Sequence, residues 1–231
     1  MNEKAPFVRG REIQILTSKH QNVDRDYLAR VNDAEWPKWK AAEVAKKYDF
    51  DYWDGSRKIN YGGYKYRPGY WVPVASRLIE EYELTDKSSV LDIGCGKGFL
   101  LYEMKILIPG LQVFGLDISS YALSNAHPEV AGHLSLGSAV SLPWPDKTFD
   151  LAFSLNTFHN LHTFDLENAL QEISRVSARQ FLCVESYRNE FEKMNLIYWQ
   201  VTCEAFNTPK EWFWWFEKTG YRGDYEFIYF Q

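Results

Sequence analysis

The sequence contains few cysteines, and no two of them have the spacing of a known paired motif. Cys95, Cys183 and Cys203 stand apart among 231 residues, without the C-x-x-C spacing of a structural metal site or a redox pair. A disulfide framework is therefore excluded as the basis of the fold, and isolated thiols are typical of a reducing compartment. A domain of this length buries roughly 70% of its unfolded surface without such cross-links.

Long apolar runs and an excess of basic residues are also absent. No stretch approaches 18 consecutive apolar residues, and residues 1–9 lack the apolar core of a secretory signal. We therefore expect a cytoplasmic protein that does not bind membranes. Lys and Arg number 26 against 31 Asp and Glu, which gives a net charge of −5, so a broad nucleic-acid-binding face is not expected.

Aromatic residues, in contrast, are abundant. They make up 17% of the chain and concentrate around residues 36–71 and 187–230, outside the apolar runs. Glycines and tyrosines at 61–71 indicate turns that carry rigid side chains. We predict that residues 1–71 form a helical segment followed by a lid, and that residues 72–231 form the rest of one compact domain.

Short apolar runs alternate with longer amphipathic segments from about residue 70 onward, which is typical of an α/β fold. Strands are predicted at 89–93, 112–116, 133–137, 149–155, 180–185 and 224–230. Helices are predicted at 72–83, 99–108, 119–125, 165–176 (capped by Asp165) and 210–219. Residues 195–204 fit a helix, which we favour, or a seventh strand. A mainly parallel sheet of this kind binds its ligand at the carboxyl ends of the strands.

A glycine-rich turn follows the first of these strands and opens a helix. Gly94, Gly96 and Gly98 give the spacing G-x-G-x-G, and glycine lets the backbone bend sharply and approach a ligand closely. The spacing differs from the G-x-G-x-x-G that binds a dinucleotide pyrophosphate. The alternative is a turn that only packs within the α/β fold and binds no ligand.

The charge beside the turn distinguishes between ligands. Asp92 precedes the turn, where a carboxylate repels pyrophosphate but attracts a ligand that carries an ammonium and a sulfonium group. S-adenosylmethionine (SAM) carries both. Asp117, at the end of the second strand, is placed to bind ribose hydroxyls, or alternatively to cap a helix.

Four segments, in this order, resemble the motifs of class I SAM-dependent methyltransferases. They are residues 90–98 (VLDIGCGKG), 115–119 (GLDIS), 137–143 (GSAVSLP) and 149–154 (FDLAFS). The match spans about residues 72–186, half of the chain. The resemblance implies a three-layer Rossmann-like fold with six or seven strands and helices on both faces. It also implies SAM as cofactor, with S-adenosylhomocysteine as product.

The resemblance also implies which residues hold the cofactor: the methionine end by the turn, the ribose by Asp117 and the adenine by the segments that follow. The predicted residues are Asp92, Gly94, Cys95, Gly96, Asp117, Ile118, Ser138, Ala139 and Asn156. Many family members have Gly-Asp-Ala where this chain has Gly137-Ser-Ala. The contact to the adenine amino group would therefore come from a hydroxyl or a backbone group.

Three side chains are predicted on the acceptor side. His159, after the fourth strand, is the candidate base, or else a structural histidine. Arg188, after the fifth strand, could clamp an anionic acceptor, or form an ion pair with Glu190 or Glu192. Tyr64 of the lid could cover the acceptor, or belong to a hydrophobic clasp on the sheet edge.

The expected function is methyl transfer to a small polar metabolite, anionic or sugar-containing, with O-methylation favoured. His159 and His162 have H-x-x-H spacing but no evident third ligand, so no metal is predicted. The protein is expected to be a monomer or homodimer. The alternatives are an NAD-dependent oxidoreductase of the same topology and a non-catalytic SAM-binding regulatory protein.

Overall fold

The computed structural model describes residues 7–16, 26–62 and 64–231. The strands are β1 Ser89–Ile93, β2 Gln112–Asp117, β3 Leu134–Leu136, β4 Phe149–Leu155, β5 Ser177–Glu185 and β6 Asp224–Ile228. The helices are α1 Tyr27–Val31, α2 Lys38–Ala45, α3 Phe50–Trp53, α4 Val72–Glu81, α5 Phe99–Leu107, α6 Ser120–Ser124, α7 Pro128–Ala131, α8 Thr163–Val176, α9 Glu190–Trp199 and α10 Pro209–Thr219. A turn of 3-10 helix spans Phe158–Asn160. The strands pair in parallel in the order β3-β2-β1-β4-β5-β6.

The predicted α/β fold with a mainly parallel sheet is confirmed, and the described residues form six strands. Of residues 195–204, predicted as a helix in preference to a strand, 195–199 are helical and 200–204 form a loop, so the segment is not a strand but the predicted bounds are wrong. Helix α9 begins at Glu190 because the Asn189 side chain caps it by accepting the Glu192 N–H, and it ends at Trp199. Helix α8 begins two residues before Asp165, which lies in its first turn, where a carboxylate favours the helix dipole.

The core lies on both faces of the sheet because neighbouring residues of a strand point to opposite sides. On β1, Val90 packs into the apolar cluster on one face and Leu91 into the cluster on the other. Helices α4 and α5 cover the first face, and α8 and α10 cover the second. The three layers leave the carboxyl ends of the strands together at one edge of the sheet.

An N-terminal segment lies along the outer edge of β6. Glu12 forms a parallel bridge with Tyr225. The buried carboxylate of Glu226 accepts the backbone N–H groups of Ile15 at 2.9 Å and Leu16 at 2.8 Å. These contacts satisfy backbone groups at an edge that would otherwise be open to pairing with another chain.

Candidate functional site

The turn after β1 requires backbone conformations that glycine adopts without strain. Gly94, Gly96 and Gly98 have φ angles of 84°, 55° and 73°, in the left-handed region. The Gly94 N–H donates to the Leu116 carbonyl at 2.7 Å, which ties the turn to β2. A Cβ at Gly94 would lie 2.1 Å from Thr157 Oγ1, so the turn has no room for a larger residue there.

Two carboxylates lie beside this turn. Asp117 accepts the backbone N–H of Gly96 at 2.7 Å and that of Ser119 at 2.8 Å. Asp92 is 5% exposed, and no donor in the described part of the chain hydrogen-bonds its carboxylate. Burial, with the Asp117 charge as a second cause, raises the pKa of Asp92 well above its usual value. Burial also raises the pKa of Asp117. Two desolvated carboxylates close together favour the binding of a cationic group.

Cys95 shapes the turn by packing. A Cβ at Gly115 would lie 2.6 Å from Cys95 Sγ, so the thiol fills the space above β2 that glycine leaves. Burial raises the pKa of Cys95 well above its usual value, which keeps the thiol protonated. Its predicted contact with the cofactor stays a prediction.

The residues predicted to bind adenine lie at the ends of β2 and β3. Ile118 directly follows Asp117 and is 62% exposed. The Gly137 N–H donates to the Asp117 carbonyl at 3.0 Å, which brings Ser138 and the buried Ala139 next to the end of β2. An exposed apolar residue and a serine thus lie next to the end of the strand that carries Asp117, which is predicted to bind the ribose.

Residues 48–62, which we call the strap, cover the glycine turn. A Cβ at Gly96 would lie 2.6 Å from the Trp53 ring. The Trp53 Nε1–H group donates to Ser119 Oγ at 2.8 Å and to the Tyr48 carbonyl at 3.0 Å. Trp53 therefore contacts both segments whose N–H groups bind Asp117.

The next strap residue forms an ion pair with the turn itself. Lys97 Nζ lies 2.7 Å from Asp54 Oδ2, and the Tyr121 hydroxyl donates to the same oxygen at 2.9 Å. Burial acts to raise the pKa of Asp54, but hydrogen bonds from Lys97 and Tyr121 outweigh it and lower that pKa. Sequence reasoning missed Trp53 and Asp54 because no local pattern links them to a turn more than 40 residues later.

Tyr64 belongs to an aromatic cluster with the strap. Its ring centroid lies 4.7 Å from that of Trp53 and 5.2 Å from that of Tyr52, which is itself buried. The cluster places the predicted lid tyrosine against the residue that covers the glycine turn.

His159 lies in the 3-10 turn after β4 and is 2% exposed. Its Nδ1 accepts the backbone N–H of Glu185 at 3.3 Å, and its Nε2 lies 3.5 Å from Glu185 Oε2. Burial lowers the pKa of His159 to about 3, so the imidazole is neutral. Both ring nitrogens therefore face Glu185, at the carboxyl end of β5.

A polar network continues from Glu185 to the strap. Gln200 Nε2 donates to Glu185 Oε2, and Gln200 Oε1 accepts the Tyr61 hydroxyl at 2.6 Å. The Tyr61 oxygen in turn accepts the N–H groups of Val201 at 2.7 Å and Thr202 at 3.1 Å. Burial raises the pKa of Tyr61, so its hydroxyl stays protonated.

Arg188 forms the ion pair that the sequence offered as its alternative role. Its Nε lies 3.0 Å from Glu192 Oε1, its Nη2 also donates to that oxygen, and its guanidinium lies over the Tyr229 ring at 4.1 Å. Glu192 is buried and also accepts the Arg188 backbone N–H at 2.8 Å. In this conformation the guanidinium stabilises the start of α9 instead of facing an acceptor.

Asn156, at the end of β4, has a φ of 56°, which is unusual for a residue other than glycine. Its N–H donates to the Cys183 carbonyl at 2.9 Å, and its carbonyl accepts the Asn160 side-chain amide at 3.2 Å. Strained residues of this kind concentrate at functional sites. Its predicted contact with the cofactor remains a prediction.

No helix in the described ranges has the length and apolar character needed to cross a bilayer. The same ranges contain no group of three or more His, Cys, Asp or Glu side chains arranged to hold a metal ion. His162 is exposed, and its Nδ1 lies 3.8 Å from Glu204 Oε2, not against His159.

Comparison with known proteins shows what the central part of the chain is similar to. Residues 90–180 match the family model described as a methyltransferase domain. Demethylmenaquinone methyltransferase of Symbiobacterium thermophilum is 28% identical over 146 residues, which cover 58% of this chain and 57% of that protein. A mitochondrial arginine hydroxylase of Rattus norvegicus is 32% identical over 106 residues, 45% of this chain and 30% of that protein. The matches thus span little more than half of the one relative and less than a third of the other.

A solved structure supports the fold. The crystal structure of a putative methyltransferase from Bacillus halodurans superposes with a TM-score of 0.53 at 18% sequence identity, and covers 63% of this chain and 68% of that one. The similarity confirms the Rossmann-like layered arrangement around the glycine turn.

Proposed function

We propose that the chain is a class I SAM-dependent methyltransferase that binds SAM and methylates a small polar acceptor, since residues 90–180 match the methyltransferase-domain model. The observation that carries the proposal is the Asp92 carboxylate, which is desolvated and has no hydrogen-bond donor among the described residues. A buried charge without a partner is costly, and a cationic ligand removes that cost. The SAM ammonium and sulfonium groups meet this need, whereas the pyrophosphate of NAD does not.

In this proposal the residues around Asp92 hold the rest of the cofactor. Asp117 already accepts two N–H groups and keeps further lone pairs for the ribose hydroxyls. Ile118 covers one face of the adenine, and Ser138 and Ala139 contact its edge. When bound, SAM supplies an electrophilic methyl group that an acceptor oxygen can attack.

The acceptor side of the proposed site lies between the strap and the ends of β4 and β5. His159 Nε2 and Gln200 Nε2 both lie against the Oε2 atom of the Glu185 carboxylate. We propose that His159 acts through Glu185, and that this carboxylate takes the proton of an acceptor hydroxyl as the methyl group is transferred. Alignment in a site closed from water supplies the larger part of the rate enhancement.

The proposed acceptor is polar, and a sugar-like or hydroxylated metabolite fits the tyrosine hydroxyls and the amide of Gln200. An anionic acceptor was predicted because of Arg188, and that guanidinium is paired with Glu192. The structure therefore supports hydroxyl recognition more than recognition of a negative charge.

Two measurements on the purified chain test this function. Calorimetric titration with SAM, S-adenosylhomocysteine and NAD should show binding of the first two and not of NAD. Incubation with SAM and a panel of sugars, sugar phosphates, hydroxy acids and amines should then form S-adenosylhomocysteine, with a polar hydroxyl acceptor gaining 14 Da.

The alternatives give distinct results. Binding of NAD without SAM would indicate an oxidoreductase, and SAM binding without turnover across the panel would indicate a regulatory protein. A gain of 16 Da on an arginine side chain would indicate the hydroxylation named for the Rattus norvegicus relative. Asp92→Ala should abolish SAM binding, while Asp165→Ala, on the exposed start of α8, should not.

A further inference from the structure

The strap contacts the two halves of the proposed site at the same time. At the cofactor end, Trp53 lies against Gly96 and donates to Ser119, and Asp54 binds both Lys97 and Tyr121. These contacts bring the strap onto the glycine turn and onto the segment after β2. The cofactor end is therefore enclosed for as long as the strap keeps them.

At the acceptor end, one strap residue, Tyr61, is held by several hydrogen bonds. The Tyr61 hydroxyl donates to Gln200 Oε1 and accepts the N–H groups of Val201 and Thr202. Gln200 in turn donates to Glu185. The carboxylate that we place beside the acceptor is thus oriented in part by the strap.

A rigid aromatic cluster joins the two ends. The Tyr52 ring lies 5.2 Å from the Trp53 ring and 6.2 Å from the Tyr61 ring, in edge-to-face contacts with interplanar angles of 88° and 83°. Because close-packed side chains transmit strain, we expect a displacement of Trp53 to displace Tyr61 as well.

The chain after the strap has a fixed anchor. The buried Glu103 carboxylate on α5 accepts the Tyr66 hydroxyl and the Gly69 N–H, each at 2.9 Å. Residues 66–69 therefore stay on α5 when the strap moves. This places the moving part before residue 66 and the latch at Asp54.

We propose that the strap is a gate for cofactor exchange, latched by Asp54 on Lys97 and Tyr121, and that opening it also withdraws Tyr61 from Gln200. The inference rests on the proposed function, since it assigns a motion to that site. It adds a coupling between the two ends of the site, because the acceptor side is complete only while the strap encloses the cofactor. Closure of this kind commits a bound substrate and makes product release slow.

The test measures the exchange of S-adenosylhomocysteine on the full chain by surface plasmon resonance. Asp54→Asn weakens the latch, so association and dissociation should both accelerate about tenfold, while the Kd changes less than threefold. Tyr121→Phe removes one of the two partners of Asp54 and should give a smaller acceleration. Tyr61→Phe, at the other end of the strap, should also accelerate dissociation, a result that a local role for Tyr61 does not predict.

Glu167→Gln is the matched control. Glu167 forms an ion pair with Lys218 at 2.7 Å, the same N–O distance as in the latch, but it lies on α8, away from the strap. Association and dissociation of S-adenosylhomocysteine should be as fast in Glu167→Gln as in the wild type. Amide exchange of residues 48–62 gives a second reading: S-adenosylhomocysteine should protect them in the wild type and less so in Asp54→Asn.

Three outcomes would overturn the gate. They are a change of Kd in Asp54→Asn without a change of rate, wild-type dissociation in Tyr61→Phe, and equal acceleration in Glu167→Gln. A wild-type chain that does not bind S-adenosylhomocysteine would instead overturn the proposed function itself. The two failures are therefore distinguishable.

Discussion

His159 and Glu185 meet at two points, since Nδ1 accepts the Glu185 N–H at 3.3 Å and Nε2 lies 3.5 Å from the Glu185 carboxylate. The N–H donor assigns the lone pair to Nδ1 and so the proton to Nε2. A neutral, buried imidazole in this tautomer is suited to orient a carboxylate.

The pH dependence of stability should report the burial of His159. The unfolded imidazole has its ordinary pKa of 6.5, whereas the folded one titrates at about 3, so between these values the unfolded state binds one proton more. The free energy of unfolding should therefore fall by about 1.4 kcal/mol for each pH unit from 6.5 down towards 3. Denaturant unfolding at several pH values should show that His159→Gln lacks this share of the slope.

His162→Gln, at the exposed neighbouring histidine, is the matched control for the loss of a histidine from this loop. Equal slopes in the wild type and His159→Gln would mean that the folded ring binds the proton after all.

Asp92→Asn should stabilise the ligand-free protein while it removes cofactor binding. A carboxyl pKa raised by burial gives a stability contribution that is present at low pH and lost as pH rises through the folded pKa. At pH 7.5 the charged form is therefore unfavourable, and the amide relieves it by about 1–3 kcal/mol. Thermal unfolding should shift upward by about 2–4 °C per kcal/mol, and titration should show at least a tenfold loss of SAM affinity.

Asp117→Asn provides the contrast. Its carboxylate accepts the N–H groups of Gly96 and Ser119, and the amide can satisfy one of them at most. This variant should unfold at a lower temperature than the wild type. A lower midpoint for Asp92→Asn as well would show that its carboxylate has a stabilising partner in the free protein.

Glu103→Ala should destabilise the chain more than the loss of a side chain of this size does by itself. The substitution leaves two donors, the Tyr66 hydroxyl and the Gly69 N–H, without their acceptor, at a cost of about 1–3 kcal/mol each. Glu103→Gln keeps one acceptor oxygen and should lose less. Urea unfolding of Glu103→Ala, Tyr66→Phe and the double variant should give a coupling energy, and strictly additive losses would contradict the anchor.

Gly96→Ala should destabilise the protein through both its backbone and its neighbour. A left-handed φ costs alanine about 1–2 kcal/mol, and the new Cβ would lie 2.6 Å from the Trp53 ring. Trp53→Leu in the same chain should recover the steric part and leave the backbone part. If the double variant lost the sum of the two single losses in denaturant unfolding, Trp53 would not contact this glycine.

The sheet could be predicted from the sequence because strand and helix periodicities are local. Strands β1 and β4 have the predicted bounds, and α10 ends at Thr219, directly before Gly220, whose φ of 76° is the left-handed cap expected of a glycine there. The position of α9 could not be predicted, because the apolar run 196–199 is followed, beyond the end of the helix, by Val201 in a loop that packs on the strap.

The glycine turn and the two carboxylates beside it could also be predicted, since the glycine spacing and the acidic residues are local features of the sequence. The strap contacts could not be predicted, because Trp53 and Lys97 are far apart in the chain and no sequence motif includes both of them. The same holds for Arg188, whose choice between an acceptor and Glu192 depends on the three-dimensional position of α9.

The pairing of residues 11–16 with β6 has a consequence for how the chain acquires its structure. Ile15 and Glu226 are separated by 211 positions, so their contact closes almost the entire chain into a loop. Contacts of such long range slow folding, and a loop of this length carries a large entropic cost. On the ribosome, residues 11–16 emerge long before β6 has been made. This edge of the sheet can therefore form only after β6 has been synthesised.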